Sequence, residues 1–159
     1  MVVHCSGYDG EIAAAVAEGA KTAGADVTMA KVGEAPGLEG FDAVFLGFHT
    51  VFGPLPSAMK EFVEKNEWND KRAAVFSTYI FSNRQGLEEL QRLLAAKGAV
   101  VKNTLSLRVK GAGALFGRGR FDAIDLVRAQ AFGERTTNVM AGKKIVKKSE
   151  KHSIKGYEK

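Results

Sequence analysis

The feature that most limits the fold of this chain is a regular alternation of short apolar runs with segments of helical periodicity. The apolar runs are MVVHC, ADVTMAKV, FDAVFLG, RAAVFSTY and AVVKNTLSLRV. Most of them are separated by stretches with apolar residues at helical spacing, such as GEIAAAVAEGAKTAG and NRQGLEELQRLLAAKG. Near-continuous apolar strands that alternate with helices are typical of a parallel sheet covered on both faces. The alternation therefore predicts an α/β domain.

The connections between the apolar runs narrow this fold class further. The stretch GEAPGLEG, between the second and third runs, is too short and too rich in glycine and proline for a full helix. We predict a doubly wound five-stranded parallel sheet of order 2-1-3-4-5, with helices on both faces and a reduced connection between strands 2 and 3. Ligands of such sheets bind beyond the carboxyl ends of the strands, where the strand order reverses. The stretches SGYDGE, FHTVFGPLP and STYIFSNRQ reach that edge.

Charge divides the chain into two parts. Residues 1–140 hold 16 Lys and Arg against 16 Asp and Glu, whereas residues 141–159 hold seven Lys and two Glu. The net charge of +5 therefore belongs to the last segment. We predict a domain over residues 1–140 and a basic C-terminal tail over residues 141–159. The tail is either solvated or docks an acidic partner, and the body shows no basic face that would indicate nucleic-acid binding.

Several classes of protein are disfavoured by what the sequence lacks. The single cysteine, Cys5, excludes a disulfide within the chain. No apolar run approaches the roughly 18 residues of a membrane-spanning helix, and no signal-peptide pattern begins the sequence. We therefore expect a cytoplasmic protein without membrane insertion. There is no Gly-x-Ser-x-Gly hydrolase pattern and no His or acidic cluster at metal-ligand spacing, so we expect neither catalytic residues nor a metal.

The turn after the third predicted strand carries the most specific pattern. GFHTVFGPLP combines two glycines, two prolines, a histidine, a threonine and two phenylalanines in a strand-to-helix turn. The longer stretch FLGFHTVFGPLPSAMKEFVE resembles the flavin-binding turn of the flavodoxins, and KRAAVFSTY resembles their fourth strand. LSLRVKGAGALFGRGRFDAIDLVRAQAFGE is similar to the C-terminal part of small prokaryotic flavodoxin-like proteins. The resemblance, over residues 1 to about 138, implies a flavodoxin-like fold, bound flavin mononucleotide (FMN), and electron transfer between partner proteins.

A flavin site needs apolar walls for a flat ring and hydrogen-bond donors for its polar edge and phosphate. Phe52 is a candidate for one wall, and either Tyr79 or Phe81 for another; the Thr50 and Ser82 hydroxyls suit the ribityl chain or phosphate. His49 is either a proton donor to reduced flavin or a structural hydrogen-bonding residue. The resemblance implies that the cofactor-binding residues are Ser6, Gly7, Tyr8, Gly10, Glu11, His49, Thr50, Val51, Phe52, Gly53, Thr78, Tyr79, Ile80, Phe81 and Ser82.

The stretch SGYDGE departs from the family pattern. Flavodoxins usually have Ser/Thr-x-Thr-Gly-x-Thr here, to hold the phosphate at a helix N-terminus. Ser6 matches the first position and Tyr8 takes the second hydroxyl position, whereas Asp9 and Glu11 stand where glycine and threonine are expected. Two carboxylates there would repel a phosphate unless both turn outward. The alternative is that Asp9 is an N-cap residue and Glu11 a first-turn acid.

Three functions stay open at this point: an electron-transfer flavoprotein, a flavin-dependent reductase of quinones or other small acceptors, and an interaction module that has lost its flavin. The aromatic loops favour the first two and the acidic loop favours the third. We predict electron transfer with redox partner proteins as donor and acceptor. The resemblance also implies that the Gly53 carbonyl accepts a hydrogen bond from the reduced flavin, and we expect Pro54 to hold it in that direction.

Overall fold

The structure is a computed structural model, and it describes residues 1–5 and 7–143. It contains one sheet with helices on both faces. The strands are β1 (Val2–His4), β2 (Met29–Lys31), β3 (Ala43–Thr50), β4 (Arg72–Tyr79) and β5 (Val100–Arg108). The α-helices are α1 (Asp9–Thr22), α2 (Ser57–Lys65), α3 (Arg84–Ala96) and α4 (Ala123–Met140), and a short 3-10 helix spans Ala114–Phe116.

The strand order is β2-β1-β3-β4-β5, and every neighbouring pair is parallel. This confirms the predicted order. No helix lies in residues 32–42, which confirms the reduced connection between β2 and β3. The edge strand β2 covers only three residues, fewer than the apolar run that predicted it, and two of the three are exposed.

The side chains of the sheet divide between two cores because successive strand residues point to opposite faces. Val3, Leu46 and Val75 pack against α2 and α3, whereas Val2 and Phe45 pack against α1 and α4. The helices therefore leave the carboxyl edge of the sheet to its loops. No helix of residues 1–5 and 7–143 is both long and apolar enough to cross a membrane.

Candidate functional site

The carboxyl ends of the strands bring four loops to one edge of the sheet. Residues 5–8 connect β1 to α1, residues 51–56 connect β3 to α2, and residues 80–83 connect β4 to α3. The segment 109–122 follows β5 at the same edge. The strand order reverses between β1 and β3, so the first two loops flank the point where doubly wound sheets bind ligands.

Backbone hydrogen bonds hold the loops after β3 and β4 together. The Ile80 amide donates to the Thr50 carbonyl at 3.2 Å and the Phe81 amide donates to the Val51 carbonyl at 2.9 Å. These bonds continue the β3–β4 ladder beyond the strands. As a result the rings of Phe52 and Phe81 stack, with their centroids 5.0 Å apart and their planes 14° from parallel. We call these two residues the aromatic pair.

The aromatic pair leaves apolar ring surface in contact with solvent. Phe52 is 73% exposed and Phe81 is 51% exposed, although both are large apolar side chains. Phe81 stacks on Phe52, whereas Tyr79 is half-buried at the end of β4. A flat ligand between the two rings would stack on each of them at about 3.5 Å, so the centroids of the two rings would have to be about 7 Å apart. A flat ligand therefore fits on an outer face of the pair, or between the rings once they separate.

The main chain at Gly53 corrects one expectation. Gly53 has a φ of +129°, which glycine adopts readily. Its carbonyl accepts a hydrogen bond from the Gly86 amide at 2.6 Å, and its own amide donates to the Thr50 hydroxyl at 3.0 Å. The carbonyl thus faces the first turn of α3, so the expectation that Pro54 directs it towards a flavin is wrong for this structure. The hydrogen bond to α3 determines the carbonyl's direction.

His49 links the first loop to β4. Its Nδ1 lies 2.9 Å from the Thr78 hydroxyl, and the Tyr8 ring meets the imidazole edge-on with a centroid distance of 4.9 Å. Partial burial lowers the pKa of His49, so the imidazole is neutral at neutral pH. These contacts favour the structural interpretation of His49 over that of a proton donor.

Tyr8 connects the first loop to the segment after β5. Its hydroxyl donates to the Ala114 carbonyl at 2.8 Å and accepts from the Gly119 amide at 2.7 Å. The second hydroxyl position of the first loop is therefore already used by the protein. The same contact places the segment that carries Arg118 and Arg120, both exposed, against the first loop.

Asp9 is the most unusual residue at this edge. It is the first residue of α1, its side chain is fully buried, and both carboxyl oxygens lack a hydrogen-bond partner. The Nδ1 atom of His4 lies 4.0 Å from Oδ2, but that nitrogen is 2.6 Å from the Cys5 carbonyl. Burial raises the pKa of Asp9 to about 7, against the opposing effect of the nearby backbone N–H groups of Asp9 and Cys5. The N-cap position belongs to Tyr8, so the alternative of Asp9 as N-cap is wrong.

The two acids of the first loop have opposite environments. Glu11 is exposed, whereas Asp9 lies beneath Gly7: a Cβ added to Gly7 would be 3.9 Å from Oδ1 of Asp9. Gly7 has a φ of +118° and Gly10 is half-buried against His4. With Asp9 ionised, this end of the site does not fit a phosphate dianion. Ser6, expected at the first phosphate-binding position, lies outside the described residues.

The remaining predicted residues support the loop after β4. Thr78 and Ile80 are buried, and the Ser82 hydroxyl is 3.4 Å from the Arg84 amide. Two residues that sequence reasoning missed hold this loop: Arg108 Nε donates to the Ile80 carbonyl at 3.0 Å, and Asn83 donates to the hydroxyls of two serines. The serines are Ser77 on β4 and Ser106 on β5. In the sequence, the one available indication of this role was the position of Asn83 directly before a helix.

Two cavities differ in their relation to this edge. One of about 490 Å³ is lined by Ile80, Phe81 and residues 108–112, 114 and 115, so it opens beside the aromatic pair. Another, of about 570 Å³, is lined by residues such as Met1, Asp42 and Arg72 at the amino ends of the strands. The smaller one is the candidate for function because it shares Phe81 with the aromatic pair.

Comparison with known proteins identifies the fold. No protein-family model and no curated protein sequence matches the chain. Among solved structures, a flavodoxin from the domain Archaea matches with a TM-score of 0.74 and 17% identity, over 88% of this chain and 96% of that one. A WrbA-like flavodoxin from Agrobacterium tumefaciens matches with a TM-score of 0.64 and 24% identity, over 90% of this chain and 97% of that one.

A third structure extends the comparison to a larger protein. The flavodiiron core of Flv1 from Synechocystis sp. PCC6803 matches with a TM-score of 0.70 and 16% identity, over 89% of this chain but 35% of that one. Identities this low carry information about the fold and not about the ligand. Together with the strand order, these likenesses show that the chain has the flavodoxin-like α/β fold.

Proposed function

We propose that the chain binds a flavin at the carboxyl edge of the sheet and carries electrons between redox partner proteins. The aromatic pair is the observation that carries this proposal. Two phenylalanine rings, 73% and 51% exposed, stack where a doubly wound sheet binds its ligand. Leaving this much aromatic surface in water is unfavourable in the free protein, and a flat ligand would cover it.

The chain's own residues would bind and orient the ring. Phe52 and Phe81 supply an apolar wall that excludes water from one face of a flavin. The hydrogen bond from Gly86 to Gly53 and the bonds at Val51 fix the backbone that carries this wall. A bound flavin supplies the redox chemistry, so no catalytic acid or base is required of the protein.

The segment after β5 is the proposed docking surface for a redox partner. Residues 108–120 contain two exposed apolar side chains, Leu115 at 53% and Phe116 at 82%. Arg118 and Arg120 in the same segment are exposed, whereas Lys110 forms ion pairs with Asp122 and Asp125. Exposed apolar surface with a positive rim complements a partner with an acidic surface. The basic tail, which is either solvated or docks an acidic partner, lies outside the described residues from residue 144 onward.

Flavin titration tests the proposal. The purified chain should be yellow or should quench the fluorescence of added FMN or riboflavin. Phe52→Ala and Phe81→Ala should each weaken binding of both flavins by about tenfold, the scale of one lost aromatic contact. The matched control is Val127→Ala on α4, which removes another exposed apolar side chain, 65% exposed, away from the site. Equal effects of all three substitutions would contradict the assignment of the wall.

A flavin-free interaction module is the second candidate function. The observation that favours it is the buried carboxylate of Asp9, which opposes a phosphate at the helix N-terminus. The same titration separates the two functions. A colourless protein that quenches neither FMN nor riboflavin between pH 5.5 and 8.5 would support the module and reject the electron carrier.

A further inference from the structure

We propose that Asp9 determines which flavin this site accepts. With its carboxyl ionised, the site takes a flavin that has no phosphate, such as riboflavin, and it takes FMN only when the carboxyl is protonated. This inference rests on the proposed flavin site and adds a specificity-determining residue to it.

The geometry places the carboxyl where an anion would otherwise bind. The N-terminus of a helix attracts anions because its first backbone amides are free and its dipole is positive there. Asp9 is the first residue of α1, it is fully buried, and neither of its oxygens has a hydrogen-bond partner. Oδ1 would be 3.9 Å from a Cβ on Gly7, so the carboxyl lies directly beneath the first loop. An anion held by that loop would approach a carboxylate that water does not screen.

The titratable groups around Asp9 donate no hydrogen bond to its carboxyl, although His4 Nδ1 lies 4.0 Å from Oδ2. They are His4 and Cys5 at the end of β1, His49 at the end of β3 across Gly7, and Tyr8 and Glu11 beside it in sequence. Burial and the nearby Asp9 raise the pKa of Cys5 to about 12, so its thiol is neutral. Tyr8 is bonded to the segment after β5, Glu11 is exposed, and His49 is neutral at neutral pH. Arg118 and Arg120 are exposed and form no ion pair with Asp9.

Protonation of Asp9 is therefore the available route to a phosphate in this loop. Burial raises the pKa of Asp9 to about 7, and a phosphate bound nearby would raise it further because like charges oppose ionisation. FMN binding should then take up a proton near neutral pH. Riboflavin has the same ring and ribityl chain but no phosphate, so its binding should be nearly independent of this carboxyl.

The test measures dissociation constants of FMN and riboflavin by fluorescence quenching at pH 5.5, 7.0 and 8.5. The quantity compared is the ratio of the FMN constant to the riboflavin constant, which cancels losses common to both ligands. In the wild-type chain this ratio should rise about thirtyfold or more from pH 5.5 to 8.5. In Asp9→Asn the ratio should rise by about threefold or less over the same pH range. The second ionisation of the FMN phosphate, near pH 6, is the remaining cause of that rise.

Two further variants keep the outcome decisive. Glu18→Gln removes an exposed carboxylate from the same helix and should reproduce the wild-type ratio at every pH. Asp9→Ser is the second neutral variant, to be used if Asp9→Asn does not fold. An identical ratio in the wild type and in the neutral variant at each pH would overturn the inference. Failure of the proposed flavin site is distinguishable, because then neither riboflavin nor FMN binds to any variant, and the inference falls with it.

Discussion

The two ends of the candidate site lie on loops at the same carboxyl edge of the sheet and have opposite physical characters. At the ring end, Phe52 and Phe81 expose apolar surface to water on loops fixed by backbone hydrogen bonds. At the phosphate end, Asp9 withdraws a carboxyl from water with no hydrogen-bond partner to replace it. Each arrangement is unfavourable in the free protein, the first through apolar exposure and the second through desolvation of a charge.

The fold determines where the two loops lie, but it does not determine which ligand they bind. The parallel sheet brings both loops to the same edge whatever side chains they carry. Ligand class depends on those side chains, because an exposed aromatic pair accepts any flat apolar ring while a buried carboxylate rejects one kind of charge. Departures from good local packing are expected where a protein functions. Substitutions at the two ends should therefore have different consequences.

The largest expected effect is a decrease in the free energy of unfolding as pH rises, caused by ionisation of the buried Asp9 carboxyl. The pKa of Asp9 is about 7 in the folded chain and 3.8 in the unfolded one, so between these values the folded state holds a proton that the unfolded state has lost. The free energy of unfolding should fall through this pH window by on the order of 4 kcal/mol and then stop falling above about pH 7. In Asp9→Asn this part of the pH dependence should be absent.

Urea unfolding at pH 4.5, 6.0 and 7.5 measures this difference. The wild type and Asp9→Asn should be nearest in stability at pH 4.5, and the variant should gain on the wild type at each higher pH. A gap between the two proteins that stays constant with pH would show that Asp9 ionises normally in the folded chain.

The sequence was sufficient for the fold, and both members of the aromatic pair were among its candidate wall residues. The strand–helix alternation follows from apolar periodicity and the reduced β2–β3 connection from one loop rich in breakers, while the strand order is the familiar one of a doubly wound five-stranded sheet. The sequence placed Phe52 and either Tyr79 or Phe81 at the ends of neighbouring parallel strands, and the structure shows that Phe81 is the residue that contacts Phe52. The direction of a carbonyl or a carboxyl has no such periodic signal. The sequence thus left open that Asp9 turns inward and gave no sign that the Gly53 carbonyl faces α3.

Two glycines in first helical turns test the rigidity of the two ends. Alanine in a helix is ordinarily favoured over glycine by up to about 1 kcal/mol. At Gly86, however, a Cβ would lie 2.7 Å from the Gly53 carbonyl oxygen and 2.9 Å from a ring carbon of Phe48. Gly86→Ala should therefore destabilise the chain by about 1–3 kcal/mol, since packed neighbours must move.

Gly10→Ala is the matched variant at the phosphate end. A Cβ there meets its nearest atom, Cε1 of His4, at 3.6 Å, which is an ordinary contact. Its unfolding free energy should stay within about 1 kcal/mol of the wild type, on either side. Equal stability of both alanine variants would mean that the neighbours of Gly86 move aside at little cost, so that the ring end is not rigid.

The smallest expected effect belongs to Glu11, the other acid of the first loop. Because Glu11 is exposed, water and salt screen its charge from a bound phosphate. Glu11→Thr should lower the dissociation constant of FMN by about two- to threefold at low ionic strength, the scale of one exposed charge near a helix end, and leave that of riboflavin unchanged. The gain should vanish in 0.5 M salt, whereas the effect of Asp9→Asn should persist there because that carboxyl is buried. If Glu11→Thr changed FMN binding as much as Asp9→Asn does, burial would not distinguish the two acids. The number of negative charges in the first loop, and not the burial of one of them, would then determine how weakly FMN binds.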